Sequence, residues 1–405
     1  MKVLTIFGTR PEAIKLAPVI NELHRRSNGS NLKSLVCVTG QHRQMLDQVL
    51  HIFGIRPDYD LNLMKENQTP TQVASAVLAQ LEPILDKERP DWVLVQGDTT
   101  TVAAASLAAF YSRVKVGHVE AGLRTNDKWK PFPEEINRRV ASVISDLHFA
   151  PTNLSRDNLL REGIAEKNII VVGNPVIDAL HWTATKPPTP EAEELLESLE
   201  IFETLDIGKP TATGIGNNSA ERSSYPRIIL VTAHRRENFG KPLEDICMAL
   251  RDIALMYDCR VHIVYSVHPN PNVREMVHRL LGKVSNITLT PPLDYLNLVH
   301  LMKRSYMVLT DSGGIQEEAP ALGVPVLVLR DVTERPEAIE AGTARVVGAN
   351  RERIVSETAR LLDDAAAYEE MARAVNPYGD GNSAKRIVGA LLGEPVDPWS
   401  YSYPG

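Results

Sequence analysis

The stretch Asp311-Ser312-Gly313-Gly314-Ile315-Gln316-Glu317-Glu318 follows directly on the apolar run 306–309. A strand that ends in Ser-Gly-Gly and continues as a helix directs bare backbone N–H groups and the positive end of the helix dipole at one point. This pattern predicts a phosphate site. A carboxylate facing a phosphate would repel it, so one of the two glutamates is expected to turn sideways and accept hydrogen bonds from sugar hydroxyls. The alternative is that Ser312 only caps a helix behind a glycine turn.

The same succession of strand and helix recurs along the chain in two series. The apolar, β-branched runs are 3–7, 34–39, 92–96, 115–119, 146–150 and 169–172, followed by 228–232, 261–267, 287–290, 307–310, 326–329 and 344–347. Their alternation with helical patterns predicts parallel strands joined by helical crossovers, which is a doubly wound sheet in each half. The predicted fold class is therefore α/β, with two Rossmann-like domains facing a central cleft.

A domain junction is predicted near residue 174. The chain of 405 residues is longer than one hydrophobic core usually organises. Prolines at 187, 188 and 190, an acidic stretch at 191–203 and a Gly/Asn/Ser-rich run at 208–224 separate the two series. These features predict an N-terminal domain at 1–173 and a C-terminal domain at 174–377, with a mobile loop at 208–224.

Composition excludes several classes of function. The formal net charge is -7 and neither a basic block nor an acidic tail is present, so nucleic acid is not an expected partner. Cys37, Cys247 and Cys259 are far apart and the histidines lack metal-binding spacings, so neither disulfides nor a metal site is predicted. The N-terminus resembles neither a signal peptide nor a membrane span. A cytoplasmic location is expected.

No cofactor is predicted, because the usual nucleotide fingerprints are missing. The first turn reads Gly8-Thr9-Arg10-Pro11-Glu12-Ala13, which is not G-x-G-x-x-G, so a tightly bound nicotinamide cofactor is not expected. The chain also lacks the G-x-x-x-x-G-K-S/T pattern of P-loop hydrolases.

Charged side chains gather where predicted strands end, which is where open parallel sheets bind ligands. Arg10 and Lys15 stand near the start of a helix, where cations oppose the dipole, so we expect an anionic partner there, with a surface ion pair as the alternative. Asp98 follows one strand, and Glu120 follows another as a candidate base.

The helix after Pro133 carries a further candidate carboxylate, Glu134, at i,i+4 spacing from Arg138. The alternative is a surface ion pair, which would stabilise the helix by only a few tenths of a kcal/mol. In the second half, His234 and Arg235 end the first strand, and Arg335 lies within the segment 331–337. Cations around one helix N-terminus would stabilise a departing diphosphate.

Taken together, these segments resemble the non-hydrolysing UDP-N-acetylglucosamine 2-epimerases over nearly the whole chain. The matching blocks are FGTRPEAIKLAP at Phe7, QHRQMLDQVL at Gln41, QGDTTT at Gln96, GHVEAGLRT at Gly117, PFPEEINRR at Pro131, TAHRRENFG at Thr232, LTDSGGIQEEAPALG at Leu309, RDVTERPEAIEAGT at Arg330 and NPYGDGNSAKRI at Asn376. The resemblance implies a GT-B type architecture, a C-terminal helix at about 378–398 that packs back on the first domain, and a homodimer.

The resemblance also implies roles for individual residues. The catalytic residues would be Asp98, Glu120, Glu134 and His234. The substrate contacts would be Arg10, Lys15, Arg138, Ser312, Gly313, Gly314, Glu318 and Arg335, with Glu318 on the ribose hydroxyls. A second UDP-GlcNAc could act as an activator at Gln41, Gln44, Arg235 and His268, beside Glu134. An arginine often found in that set is Asn67 here, which weakens the expectation of activation.

The expected reaction is the reversible interconversion of UDP-N-acetylglucosamine and UDP-N-acetylmannosamine. Loss of UDP from C1 would acidify the neighbouring C2–H and yield a 2-acetamidoglucal, and re-addition of UDP with protonation of the other face would invert C2. The residues leave three alternatives open. These are a hydrolysing 2-epimerase that releases N-acetylmannosamine, a GT-B glycosyltransferase and a UDP-sugar sensor without activity.

Overall fold

The structure is a computed structural model that describes residues 1–40, 43–63, 68–190, 193–194, 197 and 226–401. Of residues 43–45 it describes only the backbone. Gln41, Asn67 and the run 208–224, about which the sequence raised expectations, lie outside the described residues. The chain divides into two compact units, Met1–Trp182 with the segment from Pro377 onward, and Thr183–Asn376.

The first unit is built on a seven-stranded parallel sheet with the order β3-β2-β1-β4-β5-β6-β7. Its strands are β1 (Lys2–Phe7), β2 (Lys33–Val38), β3 (Tyr59–Asp60), β4 (Trp92–Gln96), β5 (Lys115–Val119), β6 (Leu147–Ala150) and β7 (Ile169–Val171). Its helices are α1 (Arg10–Ser27), α2 (Arg43–Phe53), α3 (Pro70–Glu88), α4 (Thr100–Tyr111), α5 (Glu134–Ile144), α6 (Asn153–Arg161) and α7 (Pro175–Ala184), which ends just past the unit boundary.

The second unit is built on a six-stranded parallel sheet with the order β10-β9-β8-β11-β12-β13. Its strands are β8 (Arg227–Thr232), β9 (Val261–Ser266), β10 (Ile287–Thr290), β11 (Met307–Thr310), β12 (Val326–Val328) and β13 (Ala344–Val346). Its helices are α8 (Lys241–Tyr257), α9 (Pro271–Leu281), α10 (Tyr295–Arg304), α11 (Gly313–Ala321), α12 (Pro336–Glu340), α13 (Arg351–Asp363) and α14 (Ala365–Ala372).

The predicted fold class of two Rossmann-like, doubly wound parallel sheets is confirmed. Every predicted run is a strand, and the strand interiors are apolar and buried because helices cover the sheet on both faces. β3 was not predicted, since its two residues, Tyr59 and Asp60, carry no apolar pattern. In the described part of the chain, no helix is both long and apolar enough to cross a membrane.

Each sheet has one switch point, which is the place where the direction of strand addition reverses. In the first sheet the chain runs outward in one direction from β1 and in the other from β4, and in the second sheet β8 and β11 are the corresponding pair. Ligands of open α/β sheets bind beyond the carboxyl ends of the strands at such switch points. The turns at Gly8, Gly97, His234 and Ser312 follow these four strands, so the sheets present them at the expected positions.

The C-terminal segment belongs to the first unit, and it ends in the helix α15 (Ser383–Leu391). The buried carboxylate of Asp178 on α7 accepts hydrogen bonds from the backbone N–H groups of Ser383 (3.2 Å) and Ala384 (2.9 Å), so it caps this helix. The backbone N–H of Asn174 donates to the carbonyl of Tyr378 at 2.6 Å. The boundary between the units therefore lies at Trp182, and not at 173, because α7 packs with this returning segment.

Gly122, which lies in the turn after β5, is predicted to tolerate substitution poorly. Its φ is +94°, and a Cβ there would lie 2.2 Å from the carbonyl oxygen of Ser155. Gly163 has a similar φ of +86° with open space around its Cβ position, so it is a matched control. We expect Gly163→Ala to cost about 1 kcal/mol of stability through backbone strain, and Gly122→Ala about 3 kcal/mol. Thermal denaturation of both variants measures the difference, and equal losses would contradict the steric argument.

Candidate functional site

Glu120 is the central carboxylate at the switch point of the first unit. It follows the last residue of β5 and adopts φ +61°, a strained value for a residue with a side chain. Its buried carboxylate accepts hydrogen bonds from Lys15 Nζ at 2.5 Å, Asn174 Nδ2 at 2.9 Å and Gln96 Nε2. The donors come from α1, from the turn after β7 and from the end of β4. They orient the carboxylate and stabilise its ionised form.

Asp98 follows β4 and forms an ion pair with Arg138 of α5. Asn137 Nδ2 donates to the backbone carbonyl of Asp98 at 3.0 Å, which fixes the turn. Burial raises the pKa of the Asp98 carboxyl, and the charge of Glu120 adds to this rise, while Arg138 and Lys15 oppose it. Asp98 therefore holds a proton more readily near neutral pH than an exposed aspartate does, which suits a group that both gives and takes protons.

His118 supports the turn that carries Asp98. It lies fully buried in β5, and its Nε2 donates to the backbone carbonyl of Gly97 at 2.7 Å. Burial lowers the pKa of His118 to about 3, so the ring is neutral at neutral pH. The backbone N–H of Gly97 in turn donates to the carbonyl of Val119 at 3.0 Å. Both backbone groups of Gly97 are thus held by β5.

The two neighbouring glutamates in the first turn of α5 have different surroundings. Glu135 is fully buried and pairs with Arg138 and Arg139, so it is structural. Glu134 has one carboxylate oxygen, Oε2, that is buried without a hydrogen-bond partner among the described residues. The alternative of an ion pair between Glu134 and Arg138 is not observed there, because Arg138 turns to Asp98 and Glu135 instead.

The turn after β1 is occupied by a side chain of its own helix. The Glu12 carboxylate accepts hydrogen bonds from the backbone N–H groups of Gly8 (3.0 Å) and Thr9 (2.7 Å) and from Thr99 Oγ1 (2.7 Å). Burial raises the pKa of Glu12, and these hydrogen bonds oppose the rise. Arg10, the first residue of α1, is half-buried beside this turn. The helix N-terminus that a dinucleotide would use is therefore already filled by a carboxylate.

The helix that follows β11 in the second unit, α11, has no side-chain cap at its N-terminus. Ser312 precedes α11 as its N-cap residue, but its side chain makes no capping hydrogen bond. The alternative role of Ser312 as a helix cap is thus not observed. A Cβ at Gly313 would lie 3.9 Å from Arg335 Nη2, and one at Gly314 would lie 3.7 Å from Glu318 Oε2. The glycine turn thus lies between a guanidinium and a carboxylate.

The two glutamates of α11 have different partners. Glu317 is buried and forms an ion pair with Arg335, which precedes α12. Glu318 accepts a hydrogen bond from Tyr295 Oη at 2.8 Å and lies on the side of Gly314. Glu317 thus holds Arg335 near Gly313, whereas Glu318 lies beside Gly314 and accepts a hydrogen bond from Tyr295.

His234 follows β8 and is close to β11. The backbone N–H groups of His234 and Arg235 both donate to Asp311 Oδ2 at 2.7 Å. The ring of His234 stacks on that of His268, with 5.3 Å between the centroids. Burial lowers the pKa of His234, and the neighbouring Asp311 opposes this change.

The sequence predicted most of the charged residues at the two switch points but missed several of their partners. The missed residues are Gln96, Asn174, Tyr295 and Asp311. Gln96, Asn174 and Asp311 stand at or just after strand ends, so the rule that ligands bind at carboxyl ends could have included them. Of the residues expected to bind an activator, Gln41 and the side chain of Gln44 lie outside the described residues. Among the described residues no cluster of His, Cys, Asp and Glu could hold a metal ion.

Comparison with known proteins gives consistent matches over nearly the whole chain. Residues 22–392 match the sequence model of the UDP-N-acetylglucosamine 2-epimerase family. The UDP-N-acetylglucosamine 2-epimerase of Escherichia coli strain K12 is 51% identical over 391 residues, which are 96% of this chain and 98% of the relative.

Solved structures share the fold as well. The UDP-GlcNAc 2-epimerase of Neisseria meningitidis bound to UDP-GlcNAc is 47% identical, with a TM-score of 0.84 over 97% of this chain and 100% of that one. The enzyme of Methanocaldococcus jannaschii in complex with UDP-GlcNAc and UDP is 34% identical, with a TM-score of 0.77 over the same shares. From these matches and the geometry above, the chain belongs to the UDP-N-acetylglucosamine 2-epimerase family of enzymes.

Proposed function

We propose that this enzyme interconverts UDP-N-acetylglucosamine and UDP-N-acetylmannosamine without hydrolysis, by elimination and re-addition of UDP. The observation that carries the proposal is the set of carboxylates in the first unit, where Glu120 is held by Lys15 and Asp98 by Arg138. A module that only bound a nucleotide sugar would not need two carboxylates that are each paired with a cation, whereas proton transfer to and from C2 does need such groups.

The chemistry explains why carboxylates and a diphosphate site belong together. The C2–H of an N-acetylhexosamine is not next to a carbonyl, so a base alone cannot remove its proton. As UDP leaves C1, positive charge develops there and acidifies the C2–H. A carboxylate can then take this proton, which yields the 2-acetamidoglucal, and a proton returned to the opposite face followed by UDP addition inverts C2.

The two carboxylates suit complementary roles in this scheme. Glu120 accepts three hydrogen bonds, which stabilise its ionised form and favour its use as the base. Burial raises the pKa of Asp98, which favours its use as the group that returns a proton. Glu134, with a buried oxygen that has no partner among the described residues, is a third proton-transfer candidate.

In the second unit we propose that α11 and its surroundings hold UDP. Ser312, Gly313 and Gly314 would bind the diphosphate, with Arg335 and His234 as cationic or hydrogen-bonding partners. Glu318, which lies beside Gly314, would accept hydrogen bonds from the ribose hydroxyls. The solved relatives that contain UDP-GlcNAc or UDP support a nucleotide-sugar substrate. Arg10 would contribute a further phosphate or sugar contact.

The proposed route does not require a redox cofactor. In a dinucleotide-binding unit, the pyrophosphate sits on the N–H groups of the first βα turn. The carboxylate of Glu12 occupies those N–H groups here, so its charge would repel a pyrophosphate. This supports activation of C2 by loss of the leaving group at C1.

A homodimer is part of the proposal. Helix α5 carries Ile136, Val140 and Val143 with exposed fractions of 43%, 37% and 82%, and their spacing places them on one face. Phe110 and Tyr111 at the end of α4 are exposed as well. A second copy of the chain would cover such a surface, and light scattering of the purified protein gives the mass that tests it.

We also propose a second UDP-GlcNAc as an activator beside His268 and Arg235. The stacking of His268 on His234 supports this, since it joins a residue expected to bind the activator to a residue expected to contact the substrate. Initial rates that rise sigmoidally with UDP-GlcNAc would agree with activation, and a hyperbolic dependence would contradict it.

A cytoplasmic location remains our proposal, supported by the three free cysteines, and cell fractionation tests it.

Incubation of UDP-GlcNAc with the enzyme in deuterated water distinguishes the proposed reaction from its alternatives. We expect NMR to find deuterium at C2 of intact UDP-sugars, because the proton that returns to C2 comes from a group in exchange with solvent. Free N-acetylmannosamine and UDP as the main products would indicate the hydrolysing reaction. An absence of C2 exchange would contradict elimination.

Replacement of Glu120 tests the role of the central carboxylate. We expect Glu120→Gln to lower kcat by about 10²–10⁴-fold, because an amide cannot take the proton from C2. The affinity for UDP should change by less than about threefold, since the proposed UDP contacts of the second unit are untouched. Steady-state rate assays measure kcat, and titration calorimetry with UDP measures the affinity.

Glu88→Gln is the matched control for this substitution. Glu88 also pairs with a lysine, with 3.1 Å between its Oε2 and Lys2 Nζ, but it lies at the amino ends of the strands. We expect its turnover to match that of the wild type. Near-normal turnover in Glu120→Gln would remove this residue from the proposed mechanism.

A further inference from the structure

Asp311 is completely buried, and only one of its two carboxylate oxygens accepts hydrogen bonds in the described part of the chain. Its side chain is 0% exposed. Oδ2 accepts hydrogen bonds from the backbone N–H groups of His234 and Arg235 and from Asn238 Nδ2, at 2.7, 2.7 and 3.0 Å. Oδ1 is buried without a hydrogen-bond partner in the described part of the chain. Burial of a carboxylate oxygen without a hydrogen bond costs free energy of folding, so we expect Oδ1 to gain a hydrogen-bond donor in the working enzyme.

The group that Oδ1 faces is the imidazole of His234. The distance between His234 Nδ1 and Asp311 Oδ1 is 3.5 Å, which is an ion-pair distance and longer than a usual hydrogen bond. Hydrogen bonds in ligand-free sites are often long and shorten when the substrate binds. The ring of His234 also stacks on that of His268, so a carboxylate lies at its Nδ1 edge and an imidazole covers one of its faces.

We propose that Asp311 is a positioning residue that orients His234 with its proton on Nδ1 and stabilises the imidazolium form, whose Nε2–H then donates a hydrogen bond to the departing diphosphate. The inference rests on the proposed function for the identity of that anion. The orientation and the charge of His234 rest on the geometry of the second unit alone.

Other charged and titratable groups around His234 work against its protonation. His268 and Arg235 both lower the pKa of His234, and burial lowers it most. Asp311 is the one group among those causes that raises the pKa. A cationic His234 at the moment when UDP leaves therefore depends on the charge of Asp311.

The substitution Asp311→Asn separates this role from a structural one. The amide oxygen can still accept the hydrogen bonds that Oδ2 accepts from the backbone of His234 and Arg235. The NH₂ group then faces Nδ1, where two donors would meet if the ring were protonated. The variant thus preserves the turn and disfavours the imidazolium.

The experiment is a titration of the full-length enzyme with ¹⁵N-labelled histidine, followed by NMR with and without UDP. The signal of His234 is identified by its disappearance in His234→Gln. In the wild type we expect Nδ1 to carry the proton in the neutral ring, and in Asp311→Asn we expect the pKa of His234 to fall by about one unit or more. One unit corresponds to a tenfold change in the protonated fraction, so the loss of UDP affinity should approach tenfold at pH 8 and should vanish at a second pH below the pKa of His234 in both proteins, where the ring is protonated in each.

Thr232→Val is the matched control. Thr232 is buried at the same strand end and its hydroxyl contacts that of Thr310 at 2.6 Å, so the change is similar in size and carries no charge. We expect it to leave the titration of His234 unchanged. In the His234→Gln background, Asp311→Asn should cause little further loss of UDP affinity.

Three results would overturn the inference. One is a neutral wild-type His234 whose proton lies on Nε2, a measurement that needs no Asp311 variant to fold. Another is an unchanged His234 titration in Asp311→Asn. The third is a loss of UDP affinity that is equal at both pH values and in the His234→Gln background, as a purely structural role predicts. A wild-type enzyme that fails to bind UDP would contradict the proposed function, while the titration of the ligand-free protein would still decide the role of Asp311.

Discussion

The backbone N–H groups that follow the first strand of each sheet need acceptors, and in both units a buried carboxylate supplies them. Glu12 accepts from Gly8 and Thr9 in the first unit, and Asp311 accepts from His234 and Arg235 in the second. A buried charge is tolerated only when such hydrogen bonds replace its hydration. The two solutions differ in origin, because Glu12 belongs to the helix that it caps and Asp311 to the neighbouring strand end.

This difference agrees with the separate tasks that we propose for the two units. Glu12 fills the turn of the first unit, which leaves that unit to present Glu120 and Asp98 with their paired cations. In the second unit the carboxylate of Asp311 accepts hydrogen bonds from the backbone of the His234 turn. The N-terminus of α11 has no side-chain cap. The turn after β1 thus carries a carboxylate, whereas the turn before α11 has no cap from the Ser312 side chain, which suits the anion that we propose there, although the strands on either side of the switch point follow the same order in both sheets.

The cations are as constrained as the carboxylates. Arg335 is held by Glu317, and Arg138 is shared between Asp98 and Glu135. A guanidinium fixed in this way loses little further side-chain entropy when a ligand binds, which favours a preorganised site. The same network explains why the neighbouring pairs of glutamates on α5 and α11 have unequal roles, since in each pair one member is used to hold an arginine.

The sequence predicted the strands well because helices cover both faces of each sheet, which makes the strand interiors continuously apolar. It missed the two-residue strand β3 and the assignment of 174–182 to the first unit, since neither a short edge strand nor the docking of α7 on a segment two hundred residues later leaves a local pattern. Most of the charged site residues were predicted from their places after strands and from the family resemblance, while partners such as Gln96 and Tyr295 were not.

The sequence by itself thus determined the fold class, the family and the residue types at each strand end, because hydrophobic period and motif order are local properties of the chain. Only the tertiary structure decided which carboxylate meets which cation. Side-chain partners such as Lys15 and Glu120, or Asp311 and His234, are far apart in the chain and come together through strand order. The phosphate site that we propose at the Ser312-Gly313-Gly314 turn was therefore predictable from the sequence, whereas its lack of a side-chain cap and its neighbour Arg335 follow from the packing of the second unit.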